Sequence, residues 1–387
     1  MTKYCDSYLV IKRKISVTTG TRADYGLLRP ILRTISQSKK LELYLIVTGT
    51  HLSKQHGFSM SEIKKDGFKV NASFNMLPNN DLSHSIAEML GNGIIHFSKI
   101  FNKIQPDINL ILGDRDEMFS SAIAAYHMNI PNAHIHGGDV SGGIDEYTRH
   151  AITKISNLHF TATKKSMNRV LKMGENPKYI FNTGSSAIDE ILEQKITTKK
   201  ILQKKYNLKL NDDEIILIQH PTTTESELSE KQIKNTLNVL IKLNKKVIAI
   251  APNSDQGHKK ILQQIKLFSK KNSLITLYPN LPRSDYLGLL KYVGVLVGNS
   301  SSGIIEATYL NTKVVNVGNR QKGREKGLNV INVNNNVSEI KNAIEQVLKL
   351  KTRKSNIYGN GMAAKKIVKI LEKIKIDKSL IQKQMSY

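Results

Sequence analysis

The chain passes from a strand into a helix within the stretch ISVTTGTRADYGLLRPILRTI, Ile15 to Ile35. Its first residues are mostly β-branched, which is typical of a strand, and the apolar residues after Gly20 recur at the spacing of one helix face. The same alternation of apolar strand and amphipathic helix recurs along the whole chain. Because parallel strands need helical crossovers, the sequence predicts a doubly wound α/β fold.

Further apolar runs extend this rhythm into both halves of the chain. In the first half, strands are predicted at LELYLIV, INLIL and NAHIH, and helices at 82–104, around 118–127 and in EYTRHAITKIS. In the second half, strands are predicted at EIILI, KKVIAI, SLITL, GVLVG and KVVNV, each followed by a turn and a helical pattern. The pattern therefore predicts one parallel sheet in each half.

A polar, basic segment from Glu193 to Glu214 separates the halves and predicts a domain boundary. We expect two Rossmann-like domains, at 1–195 and 210–352, with a ligand in the cleft between the carboxyl ends of their sheets. A C-terminal helix within 355–387 is expected to brace both domains.

The composition limits the function. The 58 basic and 32 acidic residues give a net charge of +26, which attracts anions, but the lysines are scattered and no base-reading motif accompanies them, so no nucleic-acid partner is expected. Cys5 is the only cysteine, which excludes an internal disulfide and a thiolate zinc cluster and suits the cytoplasm. No apolar run approaches the roughly 20 residues of a membrane span.

Two motifs of the first half follow predicted strands, where open α/β sheets bind ligands. In TTGTRADYG, Arg22 lies at the start of a helix, which suits either a phosphate or a plain glycine turn with a surface arginine. In ILGDRDEMF, Asp114 is either a base beside Arg115 or the first residue of a capping box that Glu117 completes.

The stretch NAHIHGGDVSGGIDEYTRH, 132–150, is rich in histidine, glycine and acidic residues. His134 and His136 alternate along a predicted strand and are expected on one face, where one hypothesis is that they ligate a metal together with Asp139 or His150. A buried histidine bonded to backbone is the alternative for either one. The glycines are expected to admit a ligand, and Asp145 to lie at the start of a helix.

The motif GNSSSGIIEATYL indicates a nucleotide. Asn299 is expected to cap the helix that follows. The N–H groups of that helix, with the hydroxyls of Ser300, Ser301 and Ser302, suit a diphosphate at the positive helix end. Glu306, about two turns further on, is placed to accept ribose hydroxyls. A well-capped ordinary helix is the alternative.

Three more motifs of the second half supply polar groups after predicted strands. His220 in QHPTTTE and Asn253 in APNSDQG are each weak signals alone, while VGNRQKGRE adds Arg320 and Arg324 as candidate anion ligands. A nucleotide on the second domain, an acidic pocket on the first and the lack of a dinucleotide motif together indicate nucleotide-sugar chemistry.

Seven motifs in this order resemble those of the hydrolysing UDP-N-acetylglucosamine 2-epimerases: GTRADYG, LGDRDE, HIHGGDVSGGIDEYTRHAITKIS, HPTTTE, PNSDQG, GNSSSGIIEA and NVGNRQKGRE. The resemblance runs from about Lys14 to about Leu350. It implies a glycosyltransferase-B-like fold, no cofactor or metal, and a homo-oligomer. That family makes N-acetylmannosamine for sialic acid, and close relatives act on UDP-2,4-diacetamido sugars for legionaminic acid.

The resemblance also implies roles for single residues. Asp114 and Asp145 match catalytic acids, and His136 or Asp139 is the second acid/base group, because animal members have glutamates at those two positions. His220 is expected at the reacting end of the UDP. The remaining implied UDP contacts, with the backbone near Leu281 facing the uracil, are Arg22, Arg115, Asn253, Ser300, Ser301, Ser302, Gly303, Glu306 and Arg320.

The reaction so implied is anti elimination of UDP from UDP-N-acetylglucosamine through a 2-acetamidoglucal, followed by hydration to N-acetylmannosamine. UDP-N,N'-diacetylbacillosamine is the alternative substrate. Three other classes fit parts of the sequence: a glycosyltransferase of the same fold, a metal-dependent hydrolase built on His134 and His136, and a UDP-binding protein without turnover.

Overall fold

The computed structural model describes residues 11–53, 58–77, 83–143, 145–253 and 255–386. Cys5, on which the cytoplasmic prediction rests, and Leu82, the predicted start of the long helix, lie outside these ranges. Among the described residues, no helix combines the length and the apolar character needed to cross a membrane.

The first half forms a seven-stranded parallel sheet with the order β3-β2-β1-β4-β5-β6-β7. Its strands are β1 (Arg13–Thr19), β2 (Leu41–Val47), β3 (Val70–Ser73), β4 (Ile108–Leu112), β5 (Asn132–Ile135), β6 (Leu158–Thr161) and β7 (Ile180–Asn182). Strand β1 pairs with β2 on one side and with β4 on the other. The winding direction reverses between β1 and β4, which is where doubly wound sheets bind ligands.

The second half repeats this topology in a six-stranded parallel sheet with the order β10-β9-β8-β11-β12-β13. Its strands are β8 (Ile215–Ile218), β9 (Val247–Ile250), β10 (Ile275–Tyr278), β11 (Val295–Gly298), β12 (Val314–Val317) and β13 (Val330–Val333). Strand β8 pairs with both β9 and β11, so the reversal lies between β8 and β11. The prediction of two doubly wound sheets is confirmed.

Helices cover the two sheets. In the first half they are α1 (Arg22–Gln37), α2 (Met60–Lys65), α3 (Ser83–Ile104), α4 (Asp116–His127), α5 (Asp145–Lys154), α6 (Lys164–Lys172) and α7 (Ser186–Glu193). In the rest of the chain they are α8 (Lys199–Tyr206), α9 (Ser229–Lys242), α10 (His258–Lys271), α11 (Arg283–Tyr292), α12 (Ser301–Ile304), α13 (Glu306–Leu310), α14 (Val337–Lys349), α15 (Ala363–Lys373) and α16 (Lys378–Ile381). Short 3-10 helices lie at Gly49–Leu52, Pro177–Tyr179 and Thr223–Leu228.

Helix α1 illustrates how the opening stretch folds. Thr21 caps it, and the Thr21 and Asp24 side chains and backbones bond reciprocally in a capping box. Its apolar stripe, which includes Leu28, Ile31 and Ile35, is fully buried in the core of the first sheet. Each such buried side chain stabilises the fold by about 1.5–3 kcal/mol before the entropy of ordering is subtracted.

The connections between the halves are not plain linkers. The polar segment predicted as a boundary contains α8, whose Leu202 is fully buried with the second core. At the other end of the chain, α15 returns to the first sheet and packs against α1 and α7. The Asp189 carboxylate of α7 accepts hydrogen bonds from the backbone N–H groups of Ala363 and Ala364, at 3.1 and 2.9 Å, and so caps α15.

Candidate active site

A cavity of about 120 Å³ lies between the carboxyl ends of the two sheets, and both halves line it. Loops after the central strands of each sheet reach it, as the two reversal points predict. Its charged and hydroxyl lining includes Asp114, Asp145, Arg149, Asp255, Ser301 and Arg320.

Asp114 follows β4 and forms an ion pair with Arg149 of α5. The Arg149 side chain is only 3% exposed, and it also donates to the backbone carbonyl of Asp139 at 2.9 Å and to Ser141 Oγ at 3.2 Å. Burial alone would raise the pKa of Asp114, but the guanidinium groups of Arg149, Arg324 and Arg115 together outweigh it, and the pKa lies below its ordinary value. Asp114 is therefore an ionised carboxylate in the lining of the cavity.

The alternative in which Asp114 only caps a helix is wrong. The N-cap of α4 is Arg115, and no side chain makes the cap hydrogen bond there. Glu117 does not complete a capping box but accepts from Arg115 Nε at 3.3 Å. Its carboxylate fills the space beside Gly20, where a Cβ atom would meet Glu117 Oε1 at 2.6 Å. A side chain at Gly20 would therefore displace the Glu117 carboxylate.

Asp145 is the first residue of α5 and lines the same cavity. Burial raises its pKa to about 6, and the Asp114 and Asp255 carboxylates add to the effect. The two aspartates of the first half therefore lie in one cavity with their pKa values displaced in opposite directions, Asp114 downward and Asp145 upward. Carboxyl groups separated in this way are suited to different roles in proton transfer.

His134 serves the structure of the first sheet. It is fully buried, its Nε2 lies 2.7 Å from the carbonyl oxygen of Gly113, and its Nδ1 lies 3.2 Å from Thr153 Oγ1. Burial lowers its pKa to about 3, so it is neutral. Within the described part of the chain, no group of three or more His, Cys, Asp or Glu side chains is arranged to hold a metal ion.

His136 does not share a face with His134, contrary to the prediction. Strand β5 ends at Ile135, and His136 has a left-handed φ of 66°, so the alternation of an extended strand stops before it. Burial lowers its pKa, and its Nε2 is buried with no hydrogen-bond partner among the described residues. It is thus a neutral imidazole whose Nε2 makes no hydrogen bond within the described ranges.

Asp139 is bound from both sides. Its Oδ1 accepts from Ser166 Oγ at 2.6 Å, and its Oδ2 lies 3.8 Å from Arg324 Nη2. Asp139 belongs to the first half and Arg324 to the second, so this pair joins the two halves beside the cavity.

The glycines of the 132–150 stretch were predicted to admit a ligand, but only Gly143 lines the cavity, and protein atoms pack closely against Gly137, Gly138 and Gly142. A Cβ atom on Gly137 would meet His134 Nδ1 at 2.9 Å, and one on Gly142 would collide with the carbonyl of Asn319. The Gly142 N–H also donates to the Arg320 carbonyl at 3.1 Å. Gly142 therefore permits the loop of the first half to touch the arginine loop of the second.

The cap predicted for Asn299 is also wrong. Asn299 instead bonds to the backbone of His220 on the neighbouring strand end, accepting from its N–H at 2.7 Å and donating to its carbonyl at 2.9 Å. Ser300 is the N-cap of α12, and its Oγ accepts from the N–H of Ser302 at 3.3 Å. Ser301 then faces the cavity.

His220 is buried, and burial lowers its pKa to about 3 with a further contribution from Arg320. Its Nδ1 accepts from the backbone N–H of Asn253 at 3.0 Å, so the proton of the neutral ring is on Nε2. Arg320 lies across from these groups, with its Nη2 3.5 Å from Asp255 Oδ2. The strand ends of the second sheet thus bring a neutral donor, an amide and a guanidinium together.

Three of the residues predicted to contact UDP do not line the cavity. Arg22 Nη2 pairs with Glu62 Oε1 of α2 at 3.0 Å. Leu281 is buried in the second core. Glu306 is buried and already bonded within the protein, to Arg283 and to Ser302.

Sequence reasoning missed some of the site. Arg149 stands one helical turn after Asp145, a spacing that the sequence shows, but no role was predicted for it. The pairs of Asp255 with Arg320 and of Arg283 with Glu190 carried no such signal, because they join residues far apart in the sequence.

Two doubly wound sheets with a charged cleft between their carboxyl ends define a two-domain α/β enzyme fold of the glycosyltransferase-B type. Within that class, the chain belongs to the UDP-N-acetylglucosamine 2-epimerase family, whose sequence profile matches residues 33–372.

Two relatives and one solved structure illustrate the relationship. The UDP-N,N'-diacetylbacillosamine 2-epimerase (hydrolyzing) of Legionella pneumophila is 37% identical over 97% of this chain and 100% of its own length. The UDP-N-acetylglucosamine 2-epimerase of Neisseria meningitidis serogroup B is 32% identical over 87% of this chain and 88% of its own. A crystal structure of the Neisseria meningitidis enzyme bound to UDP-GlcNAc superposes with a TM-score of 0.80 and 20% identity, covering 93% of this chain and 100% of that one, which confirms the fold.

Proposed function

We propose that this chain is a hydrolysing 2-epimerase, which converts a UDP-2-acetamido sugar and water into UDP and the free sugar inverted at C2. The observation that carries the proposal is the pair of aspartates, Asp114 and Asp145, which share one cavity with displaced pKa values opposite a serine and an arginine of the second half. Family membership supports the same chemistry.

The leaving group would be UDP, bound by the second half. We propose that its diphosphate lies against Ser301, Arg320 and the Nε2–H of His220, which all lie at strand ends of the second sheet. Such fixed donors stabilise the charge that develops as the C1–O bond breaks, and removing one typically costs about 3 kcal/mol. Further UDP contacts are proposed at Arg22, Arg115, Asn253, Ser300, Ser302, Gly303 and Glu306, with the uracil near Leu281.

The first chemical step removes the C2 proton. Asp145, with a pKa of about 6, is ionised at neutral pH yet basic enough to accept that proton. The C–H electrons form the C1–C2 double bond, and the C1–O bond breaks to release UDP. Asp114, paired with Arg149, stays ionised and orients the sugar and the incoming water.

In the second step the double bond takes up one water: C2 receives a proton on the opposite face, the water oxygen bonds to C1, and the proton that this water gives up replaces the one delivered to C2. Asp145 returns the proton of the first step to solvent. We propose that His136 and not Asp139 moves this second proton. Asp139 Oδ1 accepts from Ser166, and its Oδ2 forms an ion pair with Arg324 at 3.8 Å. Neither Asp139 Oδ2 nor His136 Nε2 has a hydrogen-bond partner among the described residues, so the ion pair of Asp139 is what favours His136. A neutral imidazole relays a proton readily near neutral pH.

Two sugars fit the proposal. UDP-N,N'-diacetylbacillosamine is favoured, because the Legionella relative named for it is the more similar of the two enzymes compared above, 37% against 32%. UDP-N-acetylglucosamine is the second candidate.

The test is an incubation with each nucleotide sugar in D₂O, followed by NMR. Free 2-epimerised sugar that carries deuterium at C2, with release of UDP, is expected from one of the two substrates. A nucleotide-linked epimer, or intact substrate in both incubations, would contradict a hydrolysing epimerase. UDP binding without turnover would identify a binding protein, and release that needs an added acceptor would identify a glycosyltransferase. Activity lost to a chelator would favour the metal-dependent hydrolase.

A further inference from the structure

Glu306 belongs to a closed ring of side chains in the second half. Its Oε1 accepts from Arg283 Nη2, and its Oε2 accepts from Ser302 Oγ. Ser302 Oγ also bonds to the Tyr286 hydroxyl, and the Arg283 guanidinium lies 5.6 Å from the centre of the Tyr286 ring. Both oxygens of the Glu306 carboxylate are therefore fixed in position before any ligand binds.

The same arginine reaches the first half of the chain. Arg283 Nε and Nη2 donate to Glu190 Oε2 at 2.9 and 2.6 Å, and Glu190 lies on α7, which follows the last strand of the first sheet. The Glu190 side chain is 1% exposed. One guanidinium thus bridges two buried carboxylates, one from each half. A shorter or neutral side chain at position 283 would leave both carboxylates without this partner.

We infer that Arg283 is a positioning residue for nucleotide recognition: with Glu190 as its support, it holds Glu306 so that the free lone pairs of that carboxylate face the ribose hydroxyls of UDP. A carboxylate has about four acceptor sites, and Arg283 and Ser302 occupy two of them, which leaves two for the ribose. This inference rests on the proposed function, since it assumes UDP at the site.

The ratio of the affinities for UDP and 2'-deoxy-UDP, called the ribose preference below, measures how well Glu306 is positioned. We compare UDP with 2'-deoxy-UDP by calorimetry on the full chain, because the two ligands differ by one hydroxyl. The wild-type chain is expected to bind UDP about 10- to 100-fold more tightly than 2'-deoxy-UDP, because a hydrogen bond to a charged acceptor contributes about that much to affinity. Arg283→Lys and Arg283→Gln are expected to reduce that preference to below about 3-fold, and to raise KM more than they lower kcat, because ground-state and transition-state binding weaken together.

Arg33→Gln is the matched control. Like Arg283, Arg33 pairs with a glutamate of α7, in this case Glu193 at 3.5 Å. Both side chains are about 40% exposed, and neither takes part in the hydrogen bonds of the ring. This variant is expected to leave the ribose preference unchanged. A purely structural role for Arg283 would lower thermal stability without altering the ratio of the two affinities.

The outcomes separate the two proposals. A wild-type chain that does not bind UDP overturns the proposed function. A wild-type chain that binds UDP without preferring it to 2'-deoxy-UDP, or folded Arg283 variants that keep the full preference, overturn the inference alone. If both Arg283 variants fail to fold, Glu190→Gln, which removes the support but keeps the Arg283–Glu306 pair, decides: a preference reduced at least about 3-fold supports the inference, and an unchanged one overturns it.

Discussion

Replacing Arg149 by glutamine tests how the cavity keeps Asp114 ionised. Breaking one side of a buried ion pair costs about 3–5 kcal/mol of stability, because a charge is left buried without its partner. Arg149 is 3% exposed, whereas Asp114 is 23% exposed. Arg324 and Arg115 also lower the Asp114 pKa and remain in the variant, so we expect a loss near 3 kcal/mol at neutral pH.

The loss should depend on pH. In the wild-type chain the Asp114 pKa is lowered, so its ionisation stabilises the fold above the unfolded pKa of about 3.9, and this stabilisation disappears as the pH falls through the folded value. In Arg149→Gln, the Arg149 charge no longer offsets the effect of burial, so the pKa of Asp114 rises. Much of the stabilisation by its ionised form is then missing at neutral pH. The two proteins should therefore differ most near pH 7, and the difference should shrink as the pH falls, first through the raised pKa of Asp114 in the variant and then through its lowered pKa in the folded wild-type chain.

Urea denaturation followed by far-ultraviolet circular dichroism measures the difference, since the chain has no tryptophan for fluorescence. Arg33→Gln, which removes the exposed pair with Glu193, is the control and should change the free energy of unfolding by less than about 1 kcal/mol. A loss below about 1 kcal/mol for Arg149→Gln at pH 7, or an equal loss at pH 7 and pH 4, would refute the reasoning.

Three further predictions concern the reaction and the loop. The pH profile of kcat/KM should fall about tenfold per unit below pH 6, where Asp145 becomes protonated; a rate that stays flat down to pH 4.5 argues against Asp145 as the base. Asp114→Asn should keep UDP affinity in calorimetry but lower kcat by roughly 10²- to 10³-fold, and a near-normal rate would remove Asp114 from the mechanism. Gly142→Ala, whose Cβ would collide with the Asn319 carbonyl, should lower the melting temperature, whereas Gly91→Ala, which has open space in a helix, should not; equal melting temperatures would contradict this.

The sequence predicted the fold well because hydrophobic periodicity carries most of the information about parallel sheets. The strands that it missed are short and mixed in character: β3 reads VNAS, β6 reads LHFT, β7 reads IFN and β13 reads VINV. Runs of three or four residues with polar members show no clear period, and only their neighbours in the sheet define them as strands. Helix α8 was missed because its single buried leucine, Leu202, leaves little amphipathic signal.

The candidate site could be located but not resolved from the sequence. Strand ends and turns gave its position, since both reversal points bring loops to the same cleft. Which side chains pair there depends on contacts between distant segments. Asn299 illustrates the limit: it follows a strand and precedes a helix, as a cap should, but the neighbouring strand end offers the His220 backbone at 2.7 and 2.9 Å, and that bond prevails.

The two histidines show why the second proton carrier was left open. Alternation along a strand places His134 and His136 on one face only while the chain stays extended. At His136 the φ of 66° turns the chain out of the strand, so His134 remains under the sheet with the Gly113 carbonyl while His136 leaves that face. A left-handed conformation costs a non-glycine residue about 1–2 kcal/mol. This cost falls on the residue whose buried Nε2 has no hydrogen-bond partner among the described residues, and backbone strain of this kind is concentrated at functional sites, which supports the proposal that His136 moves the second proton.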